Sequence, residues 1–228
     1  MGGTVPAPQP TRLFHITAIN NLPDICAVGN LVSKSNGGSL GLNYQNIAHA
    51  GAQNSRATKF VPSPPGGTIH DYVPFYFAPR SPMLMAIDKG NVQGCALRQK
   101  DIVHFETTVG KVVALKKSIV FYDRNATLAY STAYTNPGDL DNAIAWDLLT
   151  EAPQLDGFCK YWHNINDNSR YVDRMARRQA EFLVKDRVPL ESFVRVGVLG
   201  AVQKREVEFI FQQANVLLPI VVMPEWYF

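Results

Sequence analysis

The chain has 228 residues, of which 46% are hydrophobic, and its 22 basic and 19 acidic side chains give a formal net charge of +3. This hydrophobic content suffices for the core of one domain, whereas so small a net charge permits a polyanionic partner without predicting one. The three cysteines lie far apart and lack CxxC spacing, which argues against a disulfide framework or a zinc site and suits a reducing cytoplasm.

The N-terminal half is predicted to contain short strands and helices. Residues 1–10 are rich in proline, lack the basic and apolar regions of a signal peptide, and are expected to be disordered. After them we predict a strand at 12–19, a helix at 22–28 capped by Asn20 and Asn21 and ended by Gly29, a loop at 33–42, a weakly favoured helix at 46–57, a proline-rich loop at 59–67, a strand at 71–77 and a helix at 81–89 capped by Ser81.

The C-terminal half is predicted to group its strands. Strands are expected at 101–109, 118–122 and from 181 to 184, a helix at 140–149, the end of another at 175–180, and further apolar runs at 194–198, 207–211 and 219–223. The polar stretch 123–173 has little other periodicity, and a segment of this kind is more often functional than idle. Because helices do not alternate regularly with the strands, the predicted fold class is α+β. No apolar run is long enough to cross a bilayer, so no membrane partner is expected.

Four side chains in this pattern are candidates for chemistry. On a strand, His15 and Thr17 point to the same face and could meet a ligand together, although a hydrogen-bonded histidine at a strand end is the more ordinary interpretation. Arg56 ends a helical run, where arginine is usually solvated, but its planar donor fork also suits a diphosphate or the edge of a base. Glu181 begins a strand, where an acid forms a surface salt bridge or faces a cleft. The five histidines show no HExxH spacing, so no metal site is expected.

Three segments of the chain carry a more specific signal than any single residue. They are residues 13–17 (LFHIT), 66–84 (GGTIHDYVPFYFAPRSPML) and 175–184 (MARRQAEFLV). In this order and at this spacing they resemble the DarT family of DNA ADP-ribosyltransferase toxins, which use NAD to modify bases in single-stranded DNA, and the resemblance covers nearly the whole chain. It implies an ADP-ribosyltransferase-like α+β fold, with central antiparallel-rich sheets flanked by helices, and a single domain over residues 11–228.

The resemblance implies an NAD site built around the first strand. His15 would bind the adenosine-side ribose, and the main chain of Ile16 and Thr17 beside it would hold the nicotinamide amide. Asp24 and Val32 would also line this pocket. NAD would serve as a co-substrate, and no metal would be needed.

The resemblance also implies two catalytic residues. Arg56 would lie at the end of residues 33–60, a segment that covers the NAD. It would lower the cost of deprotonating thymine N3 by stabilising the resulting anion, because arginine itself stays protonated. Breaking the nicotinamide–ribose bond generates an oxocarbenium-like centre, and Glu181 would stabilise that charge and hold the ribose 2′-hydroxyl.

Residues 123–181 are expected to present the acceptor base. Gln179, two residues before the catalytic glutamate, corresponds to an acceptor-contacting position in transferases of this fold. Tyr161, Trp162 and Arg170 belong to a mixture of aromatic and basic residues that suits stacking and phosphate contacts with a single strand, although any one aromatic residue is more often part of a core.

The favoured function is transfer of ADP-ribose from NAD to thymidine N3 in single-stranded DNA, in a sequence-dependent way, by a cytoplasmic toxin. The implied partners are single-stranded DNA and a macrodomain antitoxin of the DarG type that reverses the modification. The alternatives are the same chemistry on guanine in DNA or on RNA, and a catalytically silent nucleic-acid-binding module of the same fold. The intact trio of His15, Arg56 and Glu181 argues against a silent module.

Overall fold

Twelve strands, nine α-helices and six short 3-10 helices form within residues 5–228, the part of the chain that the computed structural model describes. The strands are β1 Arg12–Ala18, β2 Asn30–Val32, β3 Tyr72–Tyr76, β4 Ile102–Thr108, β5 Ile119–Tyr122, β6 Ala133–Tyr134, β7 Gln154–Leu155, β8 Phe158–Cys159, β9 Glu181–Lys185, β10 Arg187–Pro189, β11 Arg195–Val198 and β12 Ile220–Val222. The helices are α1 Leu22–Val28, α2 Lys34–Ser39, α3 Ala50–Thr58, α4 Pro82–Asp88, α5 Val109–Val113, α6 Leu140–Ala143, α7 Trp146–Leu149, α8 Arg174–Arg177 and α9 Ala201–Gln213.

Eight of the strands form one sheet, in the spatial order β12-β11-β4-β1-β3-β9-β5-β6. Every neighbouring pair in this sheet is antiparallel except β11 and β12, which are parallel. The predicted α+β class with an antiparallel-rich sheet is therefore confirmed. Strands β4 and β9 lie inside the sheet and are buried along almost their whole length, although buried polar residues occur in both, Glu106 in β4 and Glu181 in β9 among them.

The sheet is continuous but weakly joined at its centre. Strands β1 and β3 pair at only one position, Phe14 with Tyr76, whereas β3 and β9 pair over five. Pro74 in β3 has no N–H to donate, and its carbonyl oxygen instead accepts a hydrogen bond from the ring of His15. The two halves of the sheet consequently separate beyond Phe14, and a cleft opens between them.

Aromatic side chains fill the main core around this cleft. Phe14 lies at its centre, with ring centroids 5.5 Å from Phe158 and 5.1 Å from Trp226, both edge to face. Such pairs add to the burial of apolar area, which is the main stabilising contribution to the fold. A smaller cluster on Val61, Ile69, Tyr72, Val120, Tyr122, Ala126 and Leu183 is separate from the main core.

Several predicted boundaries change in the structure. The predicted loop at 33–42 is wrong in part, because Ser33 caps the short helix α2 by accepting a hydrogen bond from the Asn36 N–H at 3.3 Å. The predicted helix at 140–149 is divided into α6 and α7 by an extended residue, Ile144. The expected Asn21 cap is also wrong, since its side chain contacts Thr17 and Gln45 instead of the start of α1.

The C-terminal half differs in two further places. The apolar run at 207–211 lies within α9, where Val207 and Phe211 are four residues apart and bury the same helix face. The helix expected to finish at 175–180 is the single turn α8. Of the predicted disordered lead-in, residues 1–4 lie outside the described residues, whereas Ala7 is buried and its N–H donates to Asp141 at 2.8 Å.

The C-terminal segment closes the core against β11. Trp226 is fully buried, and its ring lies so close to Gly197 that a Cβ added there would stand 2.1 Å from Trp226 Cζ3. The Tyr227 hydroxyl donates to the Ile102 carbonyl at 2.9 Å. Only glycine fits at position 197, because backbone and ring are in direct contact.

We predict that Gly197→Ala lowers the free energy of unfolding by about 3 kcal/mol, the upper range for inserting a methyl group into a packed core. Gly38→Ala is the matched control, because Gly38 lies in α2 with no atom within 4 Å of its added Cβ. That change should leave stability equal or raise it by up to about 1 kcal/mol. Urea unfolding at equilibrium measures both, and equal stability of the two variants would contradict the packing argument.

Candidate active site

A cavity of about 450 Å³ occupies the cleft between β1 and β3. Residues 44–49 and side chains from α3 cover one side of it, and the start of β9 closes the other. Most of the residues predicted to form a site line this cavity: His15, Ile16, Thr17, Val32, Arg56, Gln179 and Glu181. Residues distant in sequence are thus brought to one concave pocket, in which polar and charged side chains lie among apolar ones, as is typical of a ligand site.

Glu181 is the buried acid of the cavity. It is the first residue of β9 and is 1% exposed. Its Oε2 accepts a hydrogen bond from Arg56 Nη1 at 2.8 Å, and its Oε1 accepts one from the Ala126 N–H at 3.3 Å. These donors compensate the loss of water that a buried carboxylate suffers, so Glu181 is fixed in position with its charge held inside the cleft.

Two tyrosines flank this carboxylate in the sheet. Tyr76 of β3 and Tyr122 of β5 are both directly opposite Glu181, so the three side chains share one face of adjacent antiparallel strands. Burial, together with the charge of Glu181, raises the pKa of Tyr76 above its ordinary range and that of Tyr122 to about 12. Both phenols therefore stay protonated at neutral pH. Tyr76 also lines the cavity.

His15 is held in one tautomer. Its Nδ1 lies 2.8 Å from the Pro74 carbonyl oxygen, which can only accept, so Nδ1 carries the proton and Nε2 keeps a free lone pair. Burial, reinforced by the nearby Arg56 charge, outweighs that hydrogen bond and lowers the pKa of His15 to about 4. The neutral ring can accept a hydrogen bond from a hydroxyl group in the cavity at physiological pH.

Arg56 reaches the cavity from a helix that is otherwise on the surface. None of the residues of α3 is buried, so little apolar area holds this helix in place. Polar contacts hold it instead: Gln53 bonds to His70 Nε2 at 2.9 Å, and Arg56 to Glu181. The Arg56 Nη2 atom is buried and makes no hydrogen bond within residues 5–228, which leaves one guanidinium donor available for a ligand.

The turn after β5 supports the site and was not predicted from the sequence. Asn125 and Thr127 line the cavity, and Ala126 between them binds Glu181. The Asn125 Oδ1 atom accepts hydrogen bonds from both the backbone and the hydroxyl of Thr127, at 2.9 and 2.7 Å. This local Asx-type bonding could have been recognised from the Asn-Ala-Thr sequence as a turn, but not its contact with position 181.

An ion-pair network fixes the same turn. Arg124 pairs with its neighbour Asp123 and, at 3.0 Å, with Asp173, which Arg177 also contacts at 3.0 Å. Asp123 in addition accepts the Thr132 N–H at 2.8 Å. The Ala126 N–H that binds the buried carboxylate thus belongs to a turn held from several directions.

Four of the predicted site residues lie elsewhere. Asp24 is exposed and does not line the cavity. Trp162 is 6% exposed and packs against Phe228 in the interior, so the prediction that it offers a free stacking surface is wrong. Arg170 lies on the surface beside Asp147 and Glu151, at 3.4 and 3.3 Å. Tyr161 is also outside the cavity, but its side chain is 53% exposed.

The described part of the chain lacks two kinds of structural feature. Within residues 5–228, no group of three or more His, Cys, Asp or Glu side chains is placed to hold a metal ion. In the same range, no helix is both long and apolar enough to cross a membrane.

We predict that Arg56 and Glu181 are energetically coupled. In a double-mutant cycle of Arg56→Ala and Glu181→Gln, the coupling in the free energy of unfolding should be about 1.5 kcal/mol or more, because a single change leaves a buried partner unpaired. The control cycle uses Lys204 and Glu208, a surface pair on α9 at 3.6 Å, which should couple by less than about 0.5 kcal/mol. Additive effects at Arg56 and Glu181 would show that the contact adds nothing to stability.

Comparison with known proteins gives one consistent result. A family model described as "ssDNA thymidine ADP-ribosyltransferase, DarT" matches residues 14–228. A Thermus aquaticus protein named DNA ADP-ribosyl transferase is 35% identical over 225 residues, which cover 97% of this chain and 90% of that protein.

Solved structures agree with this result over the same range. The structure of Thermus sp. 2.9 DarT in complex with ADP-ribosylated ssDNA is similar with a TM-score of 0.85 and 29% identity, covering 99% of this chain and 100% of that one. The same protein in complex with NAD+ has a TM-score of 0.79 and 28% identity, covering 97% and 100%.

Proposed function

The chain belongs to the DarT family and is an NAD-dependent DNA ADP-ribosyltransferase, and from this premise we propose that it modifies thymidine in single-stranded DNA. One observation supports the proposal most: Arg56 and Glu181 meet at 2.8 Å inside a cavity that also contains a neutral histidine. The acid, the cation and the hydroxyl-binding residue that the reaction needs lie in one place. We also propose that residues 33–60 cover the bound NAD and residues 123–181 present the base.

The proposed NAD contacts follow from the free donors and acceptors of the cavity. The Nε2 lone pair of His15 accepts a hydrogen bond from a hydroxyl of the adenosine-side ribose. The main chain of Ile16 and Thr17 binds the nicotinamide amide, and Val32 lines the pocket. Glu181 then lies beside the other ribose, where it holds the 2′-hydroxyl.

The proposed reaction exchanges one bond to ribose C1′ for another. The bond to the nicotinamide nitrogen breaks, and its electron pair leaves with nicotinamide, which becomes neutral. The Glu181 carboxylate stabilises the positive charge that develops on the sugar. Thymine N3 then bonds to C1′ and loses its proton to solvent.

We assign the activation of thymine to Arg56. Its Nη1 atom is engaged by Glu181, whereas its unpaired Nη2 donates to the base as N3 loses its proton. The guanidinium stays protonated throughout and acts by stabilising the thymine anion, so no proton transfer to arginine is required.

The proposed acceptor is a base outside a duplex. In a base pair, thymine N3–H is bonded to adenine and cannot enter a pocket. Gln179 lines the cavity, and its Nε2 donates to the Met175 carbonyl at 3.2 Å, which leaves the Oε1 atom free to accept from a base edge. We propose that this oxygen helps to orient the base before transfer.

We further propose that the modification is toxic, takes place in the cytoplasm, and is reversed by a macrodomain antitoxin of the DarG type. Expression of the wild-type chain in a bacterial host should then arrest growth and leave ADP-ribose on chromosomal DNA. Co-expression of such a macrodomain should restore growth and remove the adduct.

We predict that Glu181→Ala reduces the rate of transfer by about a hundredfold or more, which is usual for loss of one group that stabilises transition-state charge. Arg56→Lys should retain little of the wild-type activity, because an ammonium cannot replace a planar donor fork. Labelled NAD and thymine-containing oligonucleotides measure the rate, and NAD affinity, measured separately, distinguishes failed binding from failed chemistry. Wild-type turnover in Glu181→Ala would remove this residue from the mechanism.

We predict that oligonucleotides with N3-methylthymine at the target position remain unmodified, because the attacking atom is blocked. Unmethylated single strands should react faster than the same sequence in a duplex. Mass spectrometry of the digested product locates the adduct. ADP-ribose on guanine, or transfer to RNA instead of DNA, would replace the thymidine assignment with one of those acceptors.

A further inference from the structure

Two arginines near the cavity lack a protein counter-charge. Arg178 is 4% exposed and Arg80 is half-buried, and within residues 5–228 neither makes an ion pair. Their Nε atoms are buried and make no hydrogen bond in the same range. A cation removed from water is costly without a nearby anion, so the environment favours binding of a negatively charged group.

The two guanidinium groups hydrogen-bond to the backbone of one short segment, residues 159–160. Arg178 Nη1 donates to the Cys159 carbonyl and Arg80 Nη1 to the Lys160 carbonyl, both at 3.1 Å. Next in the chain come the exposed ring of Tyr161 and the buried ring of Trp162. The segment is therefore fixed in place, and Tyr161, the residue directly after Lys160, is exposed.

A third arginine adds to the local positive charge. Burial lowers the pKa of Arg178 to about 10, and the charges of Arg80 and Arg174 contribute to this shift. Arg174 is compensated by Glu151 at 3.0 Å. Arg178 still carries its proton at neutral pH, so two uncompensated charges remain together.

This cluster lies at the catalytic end of the sheet. Arg80 follows Tyr76 of β3 by four residues, and Arg178 precedes Glu181 of β9 by three. Gln179, directly after Arg178, lines the cavity. Both arginines are therefore within a few residues of the cavity lining, although neither of them lines it.

We propose that Arg80 and Arg178 bind a phosphodiester of the acceptor strand and that Tyr161 stacks on an adjacent base. This inference rests on the proposed function and adds a second contact to its DNA substrate. The half-buried Arg80 makes the direct contact, because its donor fork suits phosphate oxygens. The buried Arg178 does not touch the phosphate but adds to the positive potential at the site. An exposed aromatic ring beside a cation is the usual means of holding an unpaired base and its backbone.

The test measures binding of a fluorescein-labelled oligothymidylate by anisotropy over a series of salt concentrations. For Arg80→Gln, the slope of log K against log salt should decrease in magnitude by about 0.7, the value for one phosphate contact with a single strand. Arg80→Lys, which keeps the charge, should retain most of the slope and also shows that position 80 tolerates change. Arg205→Gln is the matched control, an exposed arginine on α9 that should leave the slope unchanged.

The stacking contact has its own pair of variants. Tyr161→Ala should weaken binding at every salt concentration while the slope stays the same, because no charge is lost. Tyr161→Phe should bind as the wild type does, since the ring is kept. Equal affinity of Tyr161→Ala and wild type would overturn this part of the proposal.

Steady-state kinetics separate this proposal from the proposed function. Arg80→Gln should raise KM for the oligonucleotide without changing NAD affinity. An unchanged slope in Arg80→Gln, with wild type binding normally, would overturn the phosphate site alone. Weakened NAD affinity in Arg80→Gln would assign the arginines to the NAD diphosphate instead. So would competition with NAD for binding by inorganic pyrophosphate but not by the oligonucleotide. A wild-type protein that neither binds nor modifies single strands would overturn the proposed function as well.

Discussion

A helix without any buried residue carries Arg56 to a carboxylate that is 1% exposed, and this contact closes one wall of the site. Glu181 cannot stay inside the protein as an anion without nearby donors, and within residues 5–228 its two donors are Arg56 and the Ala126 N–H. The position of α3, the charge of the cleft and the geometry of the turn after β5 are therefore linked through one side chain. A ligand that bonds to Glu181 or Arg56 acts on all three.

The cleft itself depends on how two strands separate. Strands β1 and β3 pair only between Phe14 and Tyr76, and Pro74 cannot continue the pairing because it has no N–H. Its carbonyl instead fixes the tautomer of His15, so the break in the sheet also prepares a hydrogen-bond acceptor inside the cavity. A local feature of the backbone thus sets both the space for a ligand and part of its recognition.

The sequence allowed prediction of the central strands and of the main catalytic candidates, but not of contacts that depend on distant partners. Alternating apolar residues located β1, the apolar run after Glu181 located β9, and family resemblance singled out His15, Arg56 and Glu181. Tyr76 and Ala126 were missed because their place beside Glu181 follows from strand register and from a turn held by long-range ion pairs. Tyr161 and Trp162 are neighbouring aromatic residues in a polar stretch, and the sequence does not distinguish them. Trp162 is buried against Phe228, which is distant in sequence, whereas Tyr161 is exposed. Short helices such as α2 were missed because a single cap decides them.

The most direct test of this account is a crystal structure of the protein with carba-NAD+. We predict that the analogue occupies the cleft between β1 and β3. A Glu181 oxygen should lie within hydrogen-bond distance, about 2.6 to 3.2 Å, of a hydroxyl on the carbocycle that replaces the nicotinamide ribose, with His15 Nε2 equally close to the adenosine-side ribose. An analogue bound outside this cleft, or bound with Glu181 out of reach of the carbocycle that bears nicotinamide, would contradict this assignment.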